Sequence, residues 1–392
     1  MLLTFRQNLI IDRPTKLCLV LSVLVVFSNY YYLYFYSFDQ GVSESPAYYS
    51  LLKVFGVALF SIAVFRSGLR KSFPVSHCLF LVFFVFSSFF FLSKRAFFDI
   101  GSDLYLNVIV CALPFLFFRL KSDVRVFLAF FEICLWLVVF QIFIDIYVFI
   151  NGYSLWDNKA FVGGLGNPSS FGIFCNVVLA YVLFLRKFSA FSIFSFFVIL
   201  IGVIGTKSLF SVLALILVIS YFVWWKSKLM WVGLAVSSGL ALVALWQWVM
   251  SGHLGYKISS LIRLLFEGGV EGSQSITLRV EIHQFFLERL SESFIGVMLF
   301  GYEDFYYYNA DSQFLSFFGS FGVLLSLVFF VWAFIGLICS RRNDSFSRFL
   351  YVSVGLFFVM FFTNRIVDYY PMPLLFFLLV FVSLEKFKGF RL

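Results

Sequence analysis

The chain has 392 residues, of which 62% are hydrophobic and only 12% are charged. Soluble domains are usually about one-quarter charged, so this composition excludes a water-soluble fold. The formal net charge of +9 does not indicate a nucleic-acid-binding protein, because the basic residues lie in short scattered clusters beside apolar runs.

Seven basic clusters alternate with six neutral, acidic or mixed stretches, and apolar runs separate them. Lys and Arg beside membrane spans gather on the cytoplasmic side. The alternation therefore predicts an all-α polytopic membrane protein with about twelve transmembrane helices and both termini in the cytoplasm. The clusters are Arg6/Arg13/Lys16, Arg66/Arg70/Lys71, Arg119/Lys121/Arg125, Arg186/Lys187, Lys226/Lys228, Arg341/Arg342/Arg348 and Lys386/Lys388/Arg391.

A hydrocarbon core of about 30 Å requires about 20 apolar residues in a helix. We expect residues 1–392 to form a single integral membrane domain. A tight reversal at residues 205–208 is expected instead of one long helix, because the charge pattern downstream stays in phase. The predicted spans are 17–36, 47–65, 75–92, 102–118, 126–150, 169–185, 188–205, 207–225, 229–249, 314–339, 349–363 and 370–385.

The longest predicted connection is a periplasmic loop, residues 251–313, between transmembrane helices 9 and 10. Long connections in proteins are usually functional or disordered. Apolar residues recur here at helical spacing and predict amphipathic helices that rest on the bundle or on the membrane interface. They are Ile258, Leu261, Ile262, Leu265 and Phe266 in the first half, and Ile282, Phe285, Phe286 and Leu290 in the second.

Arg279 and His283 stand four residues apart in this loop and are expected to share one helical face. Arginine suits bidentate contacts with phosphate. The alternative is that the arginine snorkels and pairs with Glu281 or Glu288. The three histidines lack the spacing of metal ligands, so no metal site and no cofactor is predicted.

The end of the loop is rich in tyrosine. Tyr302, Tyr306 and Tyr307 suit either the membrane interface or stacking on sugar rings. Asp311 follows them and opens the predicted tenth helix, where the helix dipole stabilises a carboxylate. It is therefore either a helix cap or a catalytic group.

A glycine-rich segment that begins at Lys159 precedes the predicted sixth span. Asn167 and Pro168 break the chain, and Ser169 and Ser170 are expected to cap the following helix. N–H groups at a helix start favour anions, and Lys159 adds a cation on the same face. The alternative interpretation is a turn followed by a cap.

Charged residues inside spans are costly and indicate function by default. Lys53 and Glu132 are either functional or paired with each other as a structural ion pair, and the structural interpretation is favoured. Asp145 lies near the outer end of its predicted span, where water can reach it, and is either structural or functional.

The order of these features resembles the bacterial O-antigen polymerase family, within the superfamily that includes the O-antigen ligases. The resemblance covers much of the chain from about Lys159 onward. Ligases have a histidine where this chain has Asp311, and the family's usual arginine near the Asn-Pro turn is Lys159 here. The matching features are Lys159 before Gly164 and Asn167-Pro168, the turn Thr206-Lys207-Ser208, Arg279 on a loop helix, Gly296 and Gly301-Tyr302, and Asp311-Ser312 before Gly322.

The resemblance implies a glycosyltransferase of the bacterial inner membrane, with its active site facing the periplasm. Its substrate would be an undecaprenyl-pyrophosphate-linked oligosaccharide, whose pyrophosphate is already a good leaving group. Membrane lipids and a chain-length regulator protein are the other implied partners. An O-antigen ligase and a lipid-linked oligosaccharide flippase are the alternatives.

Cations at the outer face would neutralise the departing pyrophosphate, and a carboxylate or imidazole would activate the acceptor hydroxyl. The pyrophosphate is assigned to Arg279 and Lys159, with Lys207, Arg263 and Arg365 as further candidates. The catalytic group is assigned to Asp311, with Arg279 beside the leaving group and His283 in reserve. Contacts with the glycan are assigned to Tyr302, Tyr306, Tyr307 and Asn167.

Overall fold

Every regular element in the described part of the chain is helical. The computed structural model describes residues 11–28, 47–66, 75–98, 103–117, 124–153, 159–230, 232, 259, 274–301, 312–362, 364–367 and 369–385. A short 3₁₀ turn at Gly163–Leu165 precedes α6. The helices are α1 (Arg13–Phe27), α2 (Ala47–Phe65), α3 (Val75–Phe98), α4 (Asp103–Phe117), α5 (Val124–Ile150), α6 (Pro168–Phe184), α7 (Ala190–Gly205), α8 (Leu209–Lys226), α9 (Gln274–Glu292), α10 (Phe294–Phe300), α11 (Gln313–Phe321), α12 (Val323–Cys339), α13 (Ser345–Phe361) and α14 (Met372–Leu384).

Three of the described helices are long and apolar enough to cross a membrane: α3 over Val75–Ser93, α5 and α8. Shorter apolar helices of 10–17 residues accompany them. Helix α12 exposes an apolar stripe that repeats every three or four residues: Leu324, Leu327, Val331, Phe334 and Ile338. The expectation of an all-helical protein with apolar, membrane-type helices is confirmed. Most of the predicted ninth span, 229–249, lies outside the described residues.

Polar contacts between helices define two ends of the bundle. At one of them, called the basic end, Arg66 after α2 pairs with Asp12 before α1 at 2.8 Å. Arg186 after α6 pairs with Glu132 of α5 at 2.9 Å. The Arg348 guanidinium of α13 lies 5.2 Å from the ring centroid of a tryptophan at the end of α8. Three of the predicted basic clusters therefore gather at this end.

The opposite end, called the loop end, contains the start of α2, the end of α7 and the connections before α6 and α14. The hydroxyl of Tyr370, before α14, donates to the carbonyl of Lys53 near the start of α2 at 3.3 Å. The Phe161 N–H donates to the Gly205 carbonyl at the end of α7, at 2.8 Å. Helix α2 therefore has Arg66 at the basic end and Lys53 near the loop end, and it runs antiparallel to α1, whose start carries Asp12 at the basic end.

The chain reverses between α7 and α8, as predicted. Helix α7 begins soon after Arg186 at the basic end and finishes at the loop end. Helix α8 then runs back beside α6, with Gly172 against Ser211 near the loop end. At the basic end, the rings of Phe184 and Trp225 lie 5.6 Å apart between centroids.

The predicted tenth span, 314–339, is broken into two helices. Helix α11 ends and α12 begins at Gly322, whose φ is 80°. The C-terminal turn of α10 lies against this break, so closely that a Cβ at Gly322 would come within 2.6 Å of the Leu299 carbonyl carbon. A φ of 80° cannot continue an α-helix, and the close approach of α10 leaves room only for glycine, so the apolar run does not form one helix here.

Aromatic rings fill the core between α3, α12 and α14. The centroids of Phe80 and Trp332 are 4.5 Å apart, and those of Phe83 and Phe329 are 4.7 Å apart. The Phe377 ring of α14 joins the same cluster, 5.3 Å from Phe80. Contacts of this kind hold helices together without any polar group.

Candidate functional site

Two buried polar side chains project from the second half of α5. Gln141 and Asp145 are four residues apart and therefore lie on one face of the helix. The Gln141 Nε2 donates to the Phe27 carbonyl at the end of α1, at 2.6 Å. The Asp145 Oδ2 accepts the Gly163 N–H at 2.7 Å. This face of α5 thus holds both the end of α1 and the glycine-rich segment before α6.

The glycine-rich segment, residues 159–166, fits closely between α1, α5 and α6. Gly163 has a φ of 53°, and the Phe171 ring occupies the place where a Cβ would stand. At Gly164 a Cβ would come within 2.5 Å of the Gln141 Nε2 and 2.8 Å of the Phe27 carbonyl oxygen. Glycine is needed at both positions, because larger residues would push the segment away from its hydrogen-bonding partners.

Lys159 starts this segment with an exposed side chain and a left-handed backbone, φ 54°. It lines a narrow cleft of about 10 Å³ together with Asp145, Phe149 and Tyr153. That volume holds about one water molecule. Asp145 is only 3% exposed, and its Oδ1 has no hydrogen-bond partner among the described residues. A cation and a buried carboxylate therefore share one cleft at the loop end.

The same segment touches the turn that contains Lys207. Besides the backbone bond from Phe161 to Gly205, the Phe161 ring covers Gly205 directly. Two residues later, Lys207 has a φ of 51°. The hydroxyl of Ser208 lies 3.4 Å from that of Ser169 at the start of α6. One set of contacts thus fixes the backbone next to both lysines.

Lys159 and Lys207 are, within the described ranges, the two non-glycine residues with positive φ. Such backbone conformations cost about 1–3 kcal/mol each and cluster at functional sites. Glycine would remove this cost at either position, yet both positions carry a cation. The strain singles out these two lysines, and sequence patterns give no sign of it.

Asn167 caps helix α6. Its Oδ1 accepts the N–H groups of Ser169 at 2.9 Å and Ser170 at 3.1 Å. The prediction that the two serines act as caps is wrong, because Pro168 starts the helix and places both serines inside its first turn. Two of the N–H groups proposed to favour anions are therefore already used. Contact of Asn167 with a glycan stays a prediction.

The second half of the long loop is helical, as predicted. Helix α9 rests on the bundle through Ile282 and Phe286, which are buried with Val297 of α10 and Leu315 of α11. His283 is exposed on α9. The backbone of Arg279 belongs to the same helix, and its side chain lies outside the described residues.

Sequence reasoning missed Gln313, which is fully buried at the start of α11. Its Oε1 accepts the N–H groups of Ile366 at 2.6 Å and Val367 at 2.7 Å. These bonds fix the connection after α13, which carries Arg365. The Arg365 guanidinium lies 5.9 Å from the Tyr369 ring centroid. The sequence offered one signal for this role: Gln313 is a polar amide side chain at the first position of a mostly apolar helix.

Several predicted site residues can be placed and others cannot. Lys159, Lys207, Arg365 and His283 all belong to segments at the loop end. Asp311, Arg263, Tyr302, Tyr306 and Tyr307 lie outside the described residues, and their roles stay predictions.

The predicted ion pair between Lys53 and Glu132 is wrong. Glu132 pairs with Arg186 at the basic end and also accepts the Tyr181 hydroxyl at 3.1 Å. Lys53 lies near the loop end, with its Nζ 3.5 Å from Asn107 Oδ1. The two charges are at opposite ends of the bundle, and each is closest to polar groups of its own end.

No protein-family model, curated protein or solved structure matches this chain. The chemistry of the site therefore has to be judged from its geometry. Within the described ranges, no three His, Cys, Asp or Glu side chains come close enough to hold a metal ion. Lys159 and Lys207 place two cations at the loop end, next to backbone segments that are hydrogen-bonded to each other, and a cation there can pair with an anion.

Proposed function

We propose that this protein is an O-antigen polymerase of the bacterial inner membrane. It transfers a growing glycan from one undecaprenyl pyrophosphate onto a repeat unit carried by another, at the periplasmic face. The observation that supports this most is the pair of strained lysines, Lys159 and Lys207, held at the loop end by buried hydrogen bonds.

The reaction needs a cationic site for its leaving group. An acceptor hydroxyl oxygen bonds to the anomeric carbon of the donor, and the bond from that carbon to the pyrophosphate oxygen breaks. The hydroxyl proton passes to a base, and undecaprenyl pyrophosphate leaves with the electron pair. Lys159 and Lys207 offset its charge as it develops, which lowers the barrier because their backbone positions are fixed beforehand.

The remaining roles follow the sequence prediction. Arg279, Arg263 and Arg365 supply further positive charge, and Asp311 takes the proton, with His283 in reserve. Tyr302, Tyr306 and Tyr307 stack on sugar rings. A chain-length regulator is the proposed protein partner. Helix α9 supports this assignment because it rests on α11 at the loop end and brings His283 and the backbone of Arg279 to that end.

The described core favours an enzyme over a flippase. A transporter needs charged or polar groups deep in several spans. Between the two ends, the described bundle is built mainly from buried phenylalanine and aliphatic side chains. Lys159 and Lys207 lie at one end instead, the first exposed and the second half-buried, where a lipid-linked headgroup would arrive from the membrane.

The test is reconstitution of the purified protein in lipid nanodiscs with an undecaprenyl-pyrophosphate-linked repeat unit. We expect a ladder of longer glycans without nucleotide or metal. Lys159→Ala and Lys207→Ala should each lower the rate roughly 100-fold, the scale of losing one charge-stabilising donor. Lys226→Ala is the matched control, because Lys226 stacks on Trp225 at the basic end.

Three outcomes distinguish the proposals. No ladder from the folded wild-type protein would refute the polymerase assignment. A ladder that both lysine variants form at the wild-type rate would refute the site alone. In cells, loss of the gene should leave single-repeat glycans, whereas loss of a flippase leaves no outer glycan and loss of a ligase leaves unligated long chains.

A further inference from the structure

Helix α10 has an apolar outward face that the bundle does not cover. None of its seven residues is charged. Val297 is fully buried against the bundle, whereas Phe294 is 60% exposed and Ile295 is 71% exposed. Leu299 and Phe300 are exposed as well. Exposed apolar surface of this density marks a surface that contacts a partner or a membrane.

This face continues the outward apolar surface of the bundle. The Phe300 ring lies 6.0 Å from Phe90 of α3, between centroids. In the turn that leads up to Phe90, α3 exposes Phe86 and Phe89. On the other side α10 packs on α12, which exposes Leu324 and Leu327 in its first turns. Because α3 and α12 are apolar helices with outward apolar stripes, the partner of their surface is lipid.

The preceding helix has the opposite character. Among the described side chains of α9, residues 281–292, the exposed ones are mostly polar or charged, and Leu287 is an exception. They include Glu281, His283, Gln284, Glu288 and Glu292. The change from polar to apolar exposure occurs at Ser293, where α9 ends and α10 begins. A sharp change of this kind along one surface is typical of the boundary between headgroups and acyl chains.

The position of α10 is fixed by backbone contacts. Gly301, with a φ of 71°, lies directly against the Gly319 carbonyl oxygen of α11. The approach of Gly322 to Leu299 holds the other side of the same turn. The apolar face of α10 is therefore presented outward by the fold itself.

We infer that α10 is embedded in the membrane, with its outward face among the acyl chains of the leaflet at the loop end. Helix α9 then lies along the lipid headgroups. This inference does not depend on the proposed function. If that function is correct, Arg279 and His283 of α9 lie at the same depth in the membrane as the pyrophosphate of the lipid-linked substrate.

Spin labelling in nanodiscs tests the inference directly. Single cysteines at Phe294, Ile295, Glu288 and Glu292, in a background without the native cysteines, carry the label. Labels at 294 and 295 should have high accessibility to oxygen dissolved in the acyl chains and low accessibility to a water-soluble nickel chelate. Labels at 288 and 292 should have low accessibility to oxygen and high accessibility to the nickel chelate. Nickel access at 294 and 295 equal to that at 288 would overturn the inference, and so would shielding of 294 and 295 from both reagents, because protein would then cover the face.

A second measurement uses the unaltered chain, in case labelled variants fold poorly. The wild-type protein is reconstituted with phospholipid whose acyl chains carry a photoactivatable diazirine, and lipid adducts are mapped after digestion. Adducts are expected on residues 294–300 and not on residues 281–292. Lipid adducts on α3 and α12 but none on residues 294–300 would contradict the inference.

Discussion

Replacing Gly164 with alanine probes how tightly the glycine-rich segment is held. The added Cβ would stand 2.5 Å from Gln141 Nε2, 2.8 Å from the Phe27 carbonyl oxygen and 2.8 Å from Ser28 Cα. Two of these three atoms belong to the backbone and cannot rotate away. The segment or the end of α1 must therefore shift.

The expected loss follows from three contributions, two that destabilise the folded protein and one that opposes them. Overpacking a tight site costs about 1–3 kcal/mol. Displacing the Gln141 amide loses its bond to Phe27, worth about 1 kcal/mol net. The smaller conformational freedom of alanine in the unfolded chain returns about 0.5 kcal/mol. We expect Gly164→Ala to lower the free energy of unfolding by about 1.5–3.5 kcal/mol.

Unfolding in mixed micelles of increasing SDS content, followed by tryptophan fluorescence, measures this change. Gly355→Ala is the matched control. A Cβ at Gly355 meets its nearest neighbour, Leu337, at 3.8 Å, an ordinary contact, so that variant should be as stable as wild type or slightly more stable. If Gly164→Ala matches Gly355→Ala, the segment is not held between α1 and α5 and the reasoning fails.

Three more substitutions have definite expected results. Lys207→Gly should have a free energy of unfolding within about 1 kcal/mol of the wild-type value, because glycine readily adopts the left-handed backbone conformation. The variant should nevertheless lose glycan elongation. If elongation is retained, Lys207 does not belong to the site. Gln313→Leu should lower the free energy of unfolding by about 2–4 kcal/mol in SDS titration, because two buried N–H groups lose their acceptor. Gln313→Glu keeps an acceptor oxygen and should lower it by less. An equal decrease for the two variants would contradict this explanation. Glu132→Leu should lower the free energy of unfolding by about 1–2 kcal/mol, because Arg186 is left half-buried without its carboxylate partner. The double variant Glu132→Leu/Arg186→Leu should recover part of that loss. If the losses of the two single variants simply add in the double variant, the pairing is refuted.

Helix positions were largely predictable from the sequence because apolar length and basic clusters act locally along the chain. The reversal between α7 and α8 is an example, since the charge pattern alone distinguishes a turn from one long helix. The spacing of Ile282 and Phe286 likewise predicted the face with which α9 contacts the bundle. These features depend on residues that are near each other in sequence.

The missed features depend on contacts between distant segments. Glu132 takes Arg186 as its partner because both lie at the basic end, which spacing in the sequence cannot reveal. The break at Gly322 arises because α10 approaches that glycine, and the strain at Lys207 arises from the turn that joins α7 to α8. A glycine inside an apolar run is a weak sequence signal for the break, whereas the strain at Lys207 has no such signal and is seen only in the folded chain.

The central claim is that Lys159 and Lys207 lie on the extracytoplasmic face and hold the pyrophosphate of a lipid-linked glycan. The most direct measurement is labelling of Lys159→Cys and Lys207→Cys with a charged, membrane-impermeant thiol reagent, in a variant without the exposed native Cys78. The account predicts labelling from the periplasmic side and protection by an undecaprenyl-pyrophosphate-linked repeat unit. Labelling only from the cytoplasmic side would contradict the account. So would an unchanged rate of labelling at both cysteines when the lipid-linked substrate is added.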